Sequence, residues 1–289
     1  TLPRKLLIRN ENGVITNINE IIKRGSKVKV WLGYDGDLKL EFVGYVARLD
    51  AKVPFAVECE DEMWIYKQNK ISKAYRSVTL KQLIKDIYRG QSNVIDFQLG
   101  AYRIDRTSTA VVLDDLQKNY NVFSYFTFST PDGKPTLNVT MGGYDFRQVS
   151  ERHIYDMIRN IIDNSLVYRM ANENRMRVVA ISTNKGGVVI STEQGDPEGE
   201  EIKLDKRGLS KEALDKLALN ELRKRKFDGY KGSITSFGAP HCRHNEIAVI
   251  RDIEYPEREG AYMIDAVRIS FGMNGFRREI TLGINTGSL

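Results

Sequence analysis

Hydrophobic and polar residues alternate with a period of two over much of this 289-residue chain. That period is the mark of strands with one buried face. Between Lys27 and Leu49, Val28, Val30 and Leu32 alternate with Lys27, Lys29 and Trp31. Asp35-Gly36-Asp37 supplies a turn, after which Leu38, Leu40, Phe42, Gly44 and Val46 alternate with Lys39, Glu41, Val43 and Tyr45. The far end repeats the grammar. Two strand-like runs, Met263–Phe271 and Arg277–Ile284, flank Asn274-Gly275, a dipeptide that favours the type I′ turn of a tight hairpin. Phe276, Ile280, Leu282 and Ile284 fall on one face of the second run, with Arg277, Glu279 and Thr281 on the other. The two hairpins suggest a chain built from two β-barrel units.

Further strands are predicted at Pro54–Glu60, Met63–Tyr66, Phe123–Phe128, Thr136–Met141, Leu166–Met170, Arg177–Thr183, Val188–Thr192, Gly229–Ser236 and Glu246–Ile250. Pro131-Asp132-Gly133 and Gly186-Gly187 read as turns, and GDPEGEE (195–201) reads as an acidic exposed loop. The period changes to helical spacing in three places. Thr79 followed by Gln82 is a capping box ahead of Leu80, Leu83, Ile84 and Ile87, with Gly90 as a stop. Val112, Leu113 and Leu116 form one face of a second helix over 109–120. Ser210 caps a third, whose stripe is Ala213, Leu214, Leu217, Ala218 and Leu222. Residues 154–162 fit both a helix and an extended crossover. The class is mainly β (α+β), with a small α/β insert between two β-rich regions.

Trp31, Val43 and Tyr45 complicate the alternation, because they lie on the nominally outer face of the first hairpin. Large apolar groups there need a cover: a helix, another domain or another subunit. These three residues, together with Arg277 and Arg278, are therefore candidate subunit or domain contacts.

Composition narrows the functional classes. The net charge is +6 with 38 dispersed acidic residues, so any preference for polyanions is weak. No apolar run reaches the ~20 residues that span a bilayer, and TLPRKLLIRN has no secretory-leader pattern. Cys59 and Cys242 stand far apart, outside any CxxC pair, which makes a reducing compartment the default.

Candidate chemistry is sparse. Pro240-His241-Cys242-Arg243-His244 holds three potential ligands, but a structural zinc site needs about four, usually in two separated pairs. His153 and Cys59 supply no second pair, and the stretch reads as a polar loop. Glu60-Asp61, Asp114-Asp115 and Glu200-Glu201 are adjacent carboxylates that point in different directions on a regular element. The chain lacks the G-x-S-x-G, phosphate-loop, H-E-x-x-H and dinucleotide-binding fingerprints. No catalytic, cofactor-binding or metal-ligating residue is assigned, and no enzyme is expected. Arg223-Lys224-Arg225-Lys226 closes the third helix, where cations favour the dipole; it is also a candidate basic contact patch. That patch supports an alternative reading as a basic β-barrel module for nucleic acid or polysaccharide.

Several segments in order resemble the baseplate hub proteins of contractile phage tails. These are the late control protein D family, itself similar to the hub part of type VI secretion spike proteins. The segments are VKVWLGYDGDLKLEFVGYVARLD (28–50), PFAVECEDEMW (54–64), TAVVLDDLQKNYNVFSYFTF (109–128), RNIIDNSLVYR (159–169), LRKRKFDGYKGSITSFG (222–238), YPEREGAYMIDAVRISFG (255–272) and GFRREITLGI (275–284). The resemblance implies two tube-type β-barrel domains, residues 1–72 plus 131–162 and residues 163–289 with helix 210–226, around an insert at 73–130. It also implies a homotrimer whose six barrels form a ring that adapts a sixfold tail tube to a threefold spike. The implied partners are the tail tube protein, the spike protein, and the tape measure protein and DNA passing through the channel. The implied location is the virion tail baseplate of a phage, prophage or related injection system, assembled in the bacterial host cytoplasm without membrane insertion. The family has no catalytic residues to carry over.

Overall fold

The computed structural model describes residues 7–9, 13, 15–17, 21–50, 55–129, 132–141, 151–173 and 175–287. The fold is mainly β, with curled sheets and a half-barrel, in keeping with the alternating pattern. By contact density the chain forms two compact units, residues 1–115 with 124–139 and residues 116–123 with 140–289. Pro54 and Pro131, which the sequence places at a strand start and in a turn, lie outside the described residues.

In the first unit, β1 (Leu7–Arg9) pairs with β2 (Ile15–Asn17). A three-stranded sheet follows, made of β3 (Lys27–Tyr34), β4 (Asp37–Asp50) and β5 (Ala56–Glu60). Asp35 and Gly36 link β3 to β4 with φ of 49° and 85°, the two positive values that a type I′ turn requires. The register slips between Val30 and Trp31 and again between Val46 and Arg48. Such bulges bend a strand and increase its twist, so strict alternation fails: Leu40, Val43 and Val46 are all buried.

Met63–Gln68 is a helix, where the sequence pattern predicts a strand. Asp61 explains the difference, because its Oδ1 accepts the Met63 N–H at 3.0 Å and turns the chain into the first helical turn. β6 (Ile71–Thr79) leads directly into helix Leu80–Ile87, and Thr79 Oγ1 accepts from Gln82 N at 3.2 Å, as the capping box predicts. This helix buries Leu80, Leu83, Ile84 and Ile87. β7 (Gln91–Val94) and β8 (Gln98–Thr107) follow, and β8 pairs with β6. Helix Thr109–Tyr120 has the predicted bounds. β9 (Val122–Phe128) and β10 (Pro135–Met141) complete a sheet in the order β7-β10-β9.

The second unit is organised by a six-stranded sheet in the order β11-β19-β20-β21-β18-β12. β11 (Arg152–Asp156) and β12 (Ile161–Asn164) resolve the ambiguous 154–162 stretch as two strands and a turn. Asp156 Oδ1 accepts from Ile158 N, and Asn160 Oδ1 accepts from Asp156 N, which breaks the helical alternative. β13 (Val167–Arg169), β14 (Met176–Thr183), β15 (Val189–Gly195) and β16 (Glu200–Arg207) come next. The predicted acidic loop is thus shorter than expected: Glu200 and Glu201 open β16, which runs parallel to β14 and places Glu201 opposite Arg177. Helix Lys211–Arg225 begins at the predicted cap, Ser210, and covers β14 and β15 with Leu214, Leu217 and Ala218 buried. β17 (Gly229–Lys231), β18 (Ser233–Phe237), β19 (Ile247–Arg251), β20 (Gly260–Gly272) and β21 (Gly275–Gly287) finish the unit. Its core gathers Tyr155, Tyr230, Ile234, Cys242, Ala248, Ile250, Tyr262, Ile264, Ile280 and Leu282.

Gly44 tests the curl of the first sheet. A Cβ at this position would lie 2.1 Å from the Glu60 carbonyl oxygen of the paired strand. Gly44→Ala is expected to cost about 1–3 kcal/mol, as overpacking does, and to lower the thermal midpoint of the protein without changing its β content by circular dichroism.

Candidate functional site

The structure separates the residues that the sequence grouped as contacts. Trp31 is 45% exposed, beside exposed Tyr34 and Leu38 near the β3–β4 turn, with Lys29 Nζ 5.9 Å from its ring centroid. Val43 is buried in its own unit. A Cβ on Gly133 would touch Val43 Cγ2 and Leu40 Cδ2, and Lys29 Nζ donates to the Asp132 carbonyl at 2.8 Å. The turn at 132–133 therefore covers Val43, so this residue is not a surface for another subunit. Tyr45 is half-buried and stacks on Trp64 with centroids 5.7 Å apart and planes at 20°. Burial, and then Glu62 beside it, push its phenol up. Its cover is the helix at 63–68, which sequence periodicity reads as a strand.

Arg277 and Arg278 also diverge. Arg277 is half-buried, with its guanidinium 5.2 Å above the Phe237 ring and Nη1 donating to the Phe276 carbonyl. Arg278 is 1% exposed. Its Nε donates to the Gly238 carbonyl at 3.1 Å and its Nη1 to the Cys242 carbonyl at 3.2 Å. Along β21, Phe276, Arg278, Ile280 and Leu282 share the buried face, so the alternation itself carries Arg278 inward. It is a clamp between the sheet and the 238–242 loop, not a surface contact.

The basic run is partly occupied at home. Arg225 pairs with Glu221 at 2.9 Å, and Lys224 Nζ lies 5.7 Å from the Phe123 ring. The Lys226 N–H closes the helix on the Leu222 carbonyl. Arg223 and Arg225 remain exposed, while Lys224 and Lys226 are half-buried. Lys224 also lines a cavity of about 200 Å³ with Phe227, Lys231, Asp265 and Leu282.

The carboxylate pairs serve local contacts. Glu60 binds Lys67, Asp115 accepts from the Tyr102 hydroxyl, and Glu201 holds Arg177 and Lys203. The 240–244 loop does not gather its ligands: Cys242 is 1% exposed in the core, and His244 Nδ1 meets the Asp265 carbonyl at 2.9 Å. Sequence reasoning left His153 isolated, yet the structure places its Nε2 2.8 Å from Glu246 Oε2 and 3.9 Å from Glu151 Oε2. Glu151 and His153 are two residues apart at a strand start, a spacing that puts both on one face. Glu246 arrives only through strand pairing.

The fold is that of phage tail and type VI secretion proteins. A 43 kDa tail protein of prophage MuSo2 from Shewanella oneidensis aligns at 13% identity, over 96% of this chain and 87% of that one, with a TM-score of 0.58. The tail protein from Neisseria meningitidis MC58 aligns at 15% identity, over 86% and 81%, with a TM-score of 0.57. An Escherichia coli component of the type VI secretion system, described as structurally similar to T4 bacteriophage tail proteins gp27 and gp5, aligns at 9% identity with a TM-score of 0.57. That alignment covers 90% of this chain and 64% of the E. coli chain. No protein-family model and no curated protein matches the sequence.

Arg278→Leu is expected to destabilise the protein by about 3 kcal/mol in urea unfolding, because two buried carbonyls lose their donor. A second prediction concerns pH. Burial, and then the hydrogen bond from its hydroxyl to Asp252, push the Tyr230 phenol up from 10 to about 12. The folded state keeps this proton longer than the unfolded state, so the contribution is whole below pH 10 and is lost as pH rises towards 12. Tyr230→Phe is expected to flatten the fall in stability over that window, measured by urea unfolding at stepped pH.

Proposed function

We propose that the chain is a structural hub protein of a contractile phage tail or a prophage-derived injection machine. In this reading it is not an enzyme and assembles as a homotrimer. Barrel units at 1–72 plus 131–162 and at 163–289 form a ring between a sixfold tail tube and a threefold spike. The ring's bore is part of the channel for the tape measure protein and DNA, and the assembled ring sits in the virion baseplate after assembly in the host cytoplasm. The observation that carries the reading is the likeness of nearly the whole chain to the MuSo2 tail protein, 96% of this chain against 87% of that one. Exposed apolar groups support assembly. Trp31, Ile158, Ile253, Phe271 and Met273 are 45–106% exposed, and burying such groups drives association. Trp31, Arg277, Arg223 and Arg225 are the sequence-selected residues that keep a surface for contacts. Among the described residues, no helix is long and apolar enough to cross a membrane.

Light scattering on the purified protein is expected to give three times the 33.0 kDa chain mass, and a strict monomer at high concentration would overturn the trimer. Trp31→Asp is expected to weaken the trimer at least about tenfold, because a contact residue at an interface core often contributes more than 1.4 kcal/mol. Steeply salt-dependent DNA binding by the free chain, lost in Arg223→Ala with Arg225→Ala, would favour the binding-module alternative instead.

A further inference from the structure

The six-stranded sheet brings together a histidine and two glutamates from segments about ninety residues apart. β11 and β19 run parallel, with Arg152 opposite Ile247 and His153 opposite Ala248. One step earlier, Ile247 N donates to the Glu151 carbonyl at 3.1 Å, which sets Glu151 level with Glu246. Side chains at the same level of neighbouring strands point to one face, as do residues two apart on one strand. Glu151, His153 and Glu246 therefore converge, with their ligand atoms within 4.8 Å of one another.

A cation between these groups would relieve the like-charge contact they make. Like charges on directly opposed strand positions repel, and here two carboxylates face each other beside a histidine whose side chain is only 10% exposed. The surroundings fit a metal better than a chance contact. His153 Nε2 stands 2.8 Å from Glu246 Oε2 and 3.9 Å from Glu151 Oε2. Around a divalent ion with bonds of about 2.0–2.2 Å, tetrahedral ligand atoms stand roughly 3.4 Å apart, between those two values. Glu246 Oε2 also accepts the Arg243 N–H at 2.8 Å, an outer contact of the kind that orients a metal-binding carboxylate. Glu151 is 64% exposed, so its side of the cluster is open to solvent and leaves room for a water as a further ligand. Imidazole with two carboxylates and no thiolate selects a borderline divalent ion over a soft one or calcium.

We propose that Glu151, His153 and Glu246 form a Zn²⁺-class metal site that staples β11 to β19. Among the described residues β11 is an edge strand, hydrogen-bonded to one neighbouring strand. A metal bound by both strands stabilises that edge by mass action, because the unfolded chain does not assemble the three ligands.

The test uses the full chain, stripped with chelator and titrated with ZnCl₂ by calorimetry, with elemental analysis after dialysis. The expected result is one zinc per chain and a rise in thermal midpoint on zinc addition. Glu151→Gln and Glu246→Gln are each expected to weaken zinc binding at least about tenfold, and His153→Asn to abolish it. His244→Ala is expected to bind as wild type. Cobalt substitution supplies a spectroscopic check: visible d–d bands appear in the wild type and are lost in Glu246→Gln. Should His153→Asn fail to fold, the solvent-facing Glu151→Gln still decides the matter. Failure of the wild type to retain zinc, or unchanged affinity in both glutamine variants, overturns the proposal.

Discussion

The larger unit depends on the closure of one long hairpin. β20 and β21 pair from Ala261–Gly287 at one end to Gly272–Gly275 at the other, and the sheet grows outward from both of their free edges. β19 joins β20 and β18 joins β21; β11 and β12 then close the flanks. β19 reaches β20 across the short connection at 252–259, while β18, β11 and β12 each need loop closure across tens of residues. Gly275 makes the closure possible at φ 86°, where a side chain would be strained. Bulges between Ala261 and Ala266 then bend the pair, so the sheet curls instead of lying flat.

The same hairpin shows how much of the fold could be read in advance. Its existence and apolar face follow from alternation, and the Ser210 and Thr79 caps follow from side-chain chemistry; its turn differs from the type I′ expected of Asn274-Gly275, because Gly272 pairs with Gly275 across Met273 and Asn274 and of these four residues Gly275 alone takes a positive φ. Local signals of that kind survive folding because the partners are three residues apart. Arg278 was legible but overlooked: it stands two residues from both Phe276 and Ile280, so the pattern had already turned it inward. Val43 was not legible, because the bulge at Val30/Trp31 is set by pairing geometry and has no sequence signature here. The helix at 63–68 was hidden behind a short apolar run that fits either period, and only Asp61 hinted at a cap. Glu246 joins His153, 93 residues earlier in sequence, through the parallel pairing of β11 with β19, which no local spacing encodes.

Tyr45 takes its cover from a helix, one of the three sources that its place on the outer face of the first hairpin allowed. Apolar groups on the outer face of β4 needed shielding, and Trp64 supplies it from the following helix. The demand for burial was right, and the chain met it within one unit. Trp31, on the paired strand four residues from Lys27, the partner of Tyr45, stays 45% exposed.

Three buried tyrosines of this unit are held away from any ionisation near neutral pH. Burial pushes the phenols of Tyr155, Tyr230 and Tyr262 up, so all three remain protonated at neutral pH. Two of the hydroxyls serve the backbone and its neighbours: Tyr262 accepts the Tyr230 N–H, and Tyr230 donates to Asp252, whose other oxygen accepts the N–H groups of Glu254 and Tyr255. Arg278 does the same for the 238–242 loop. Tyr230, Tyr262 and Arg278 each hold backbone or a loop in place, and a general acid or base needs the opposite, an ionisation poised near neutral pH and a path to a substrate.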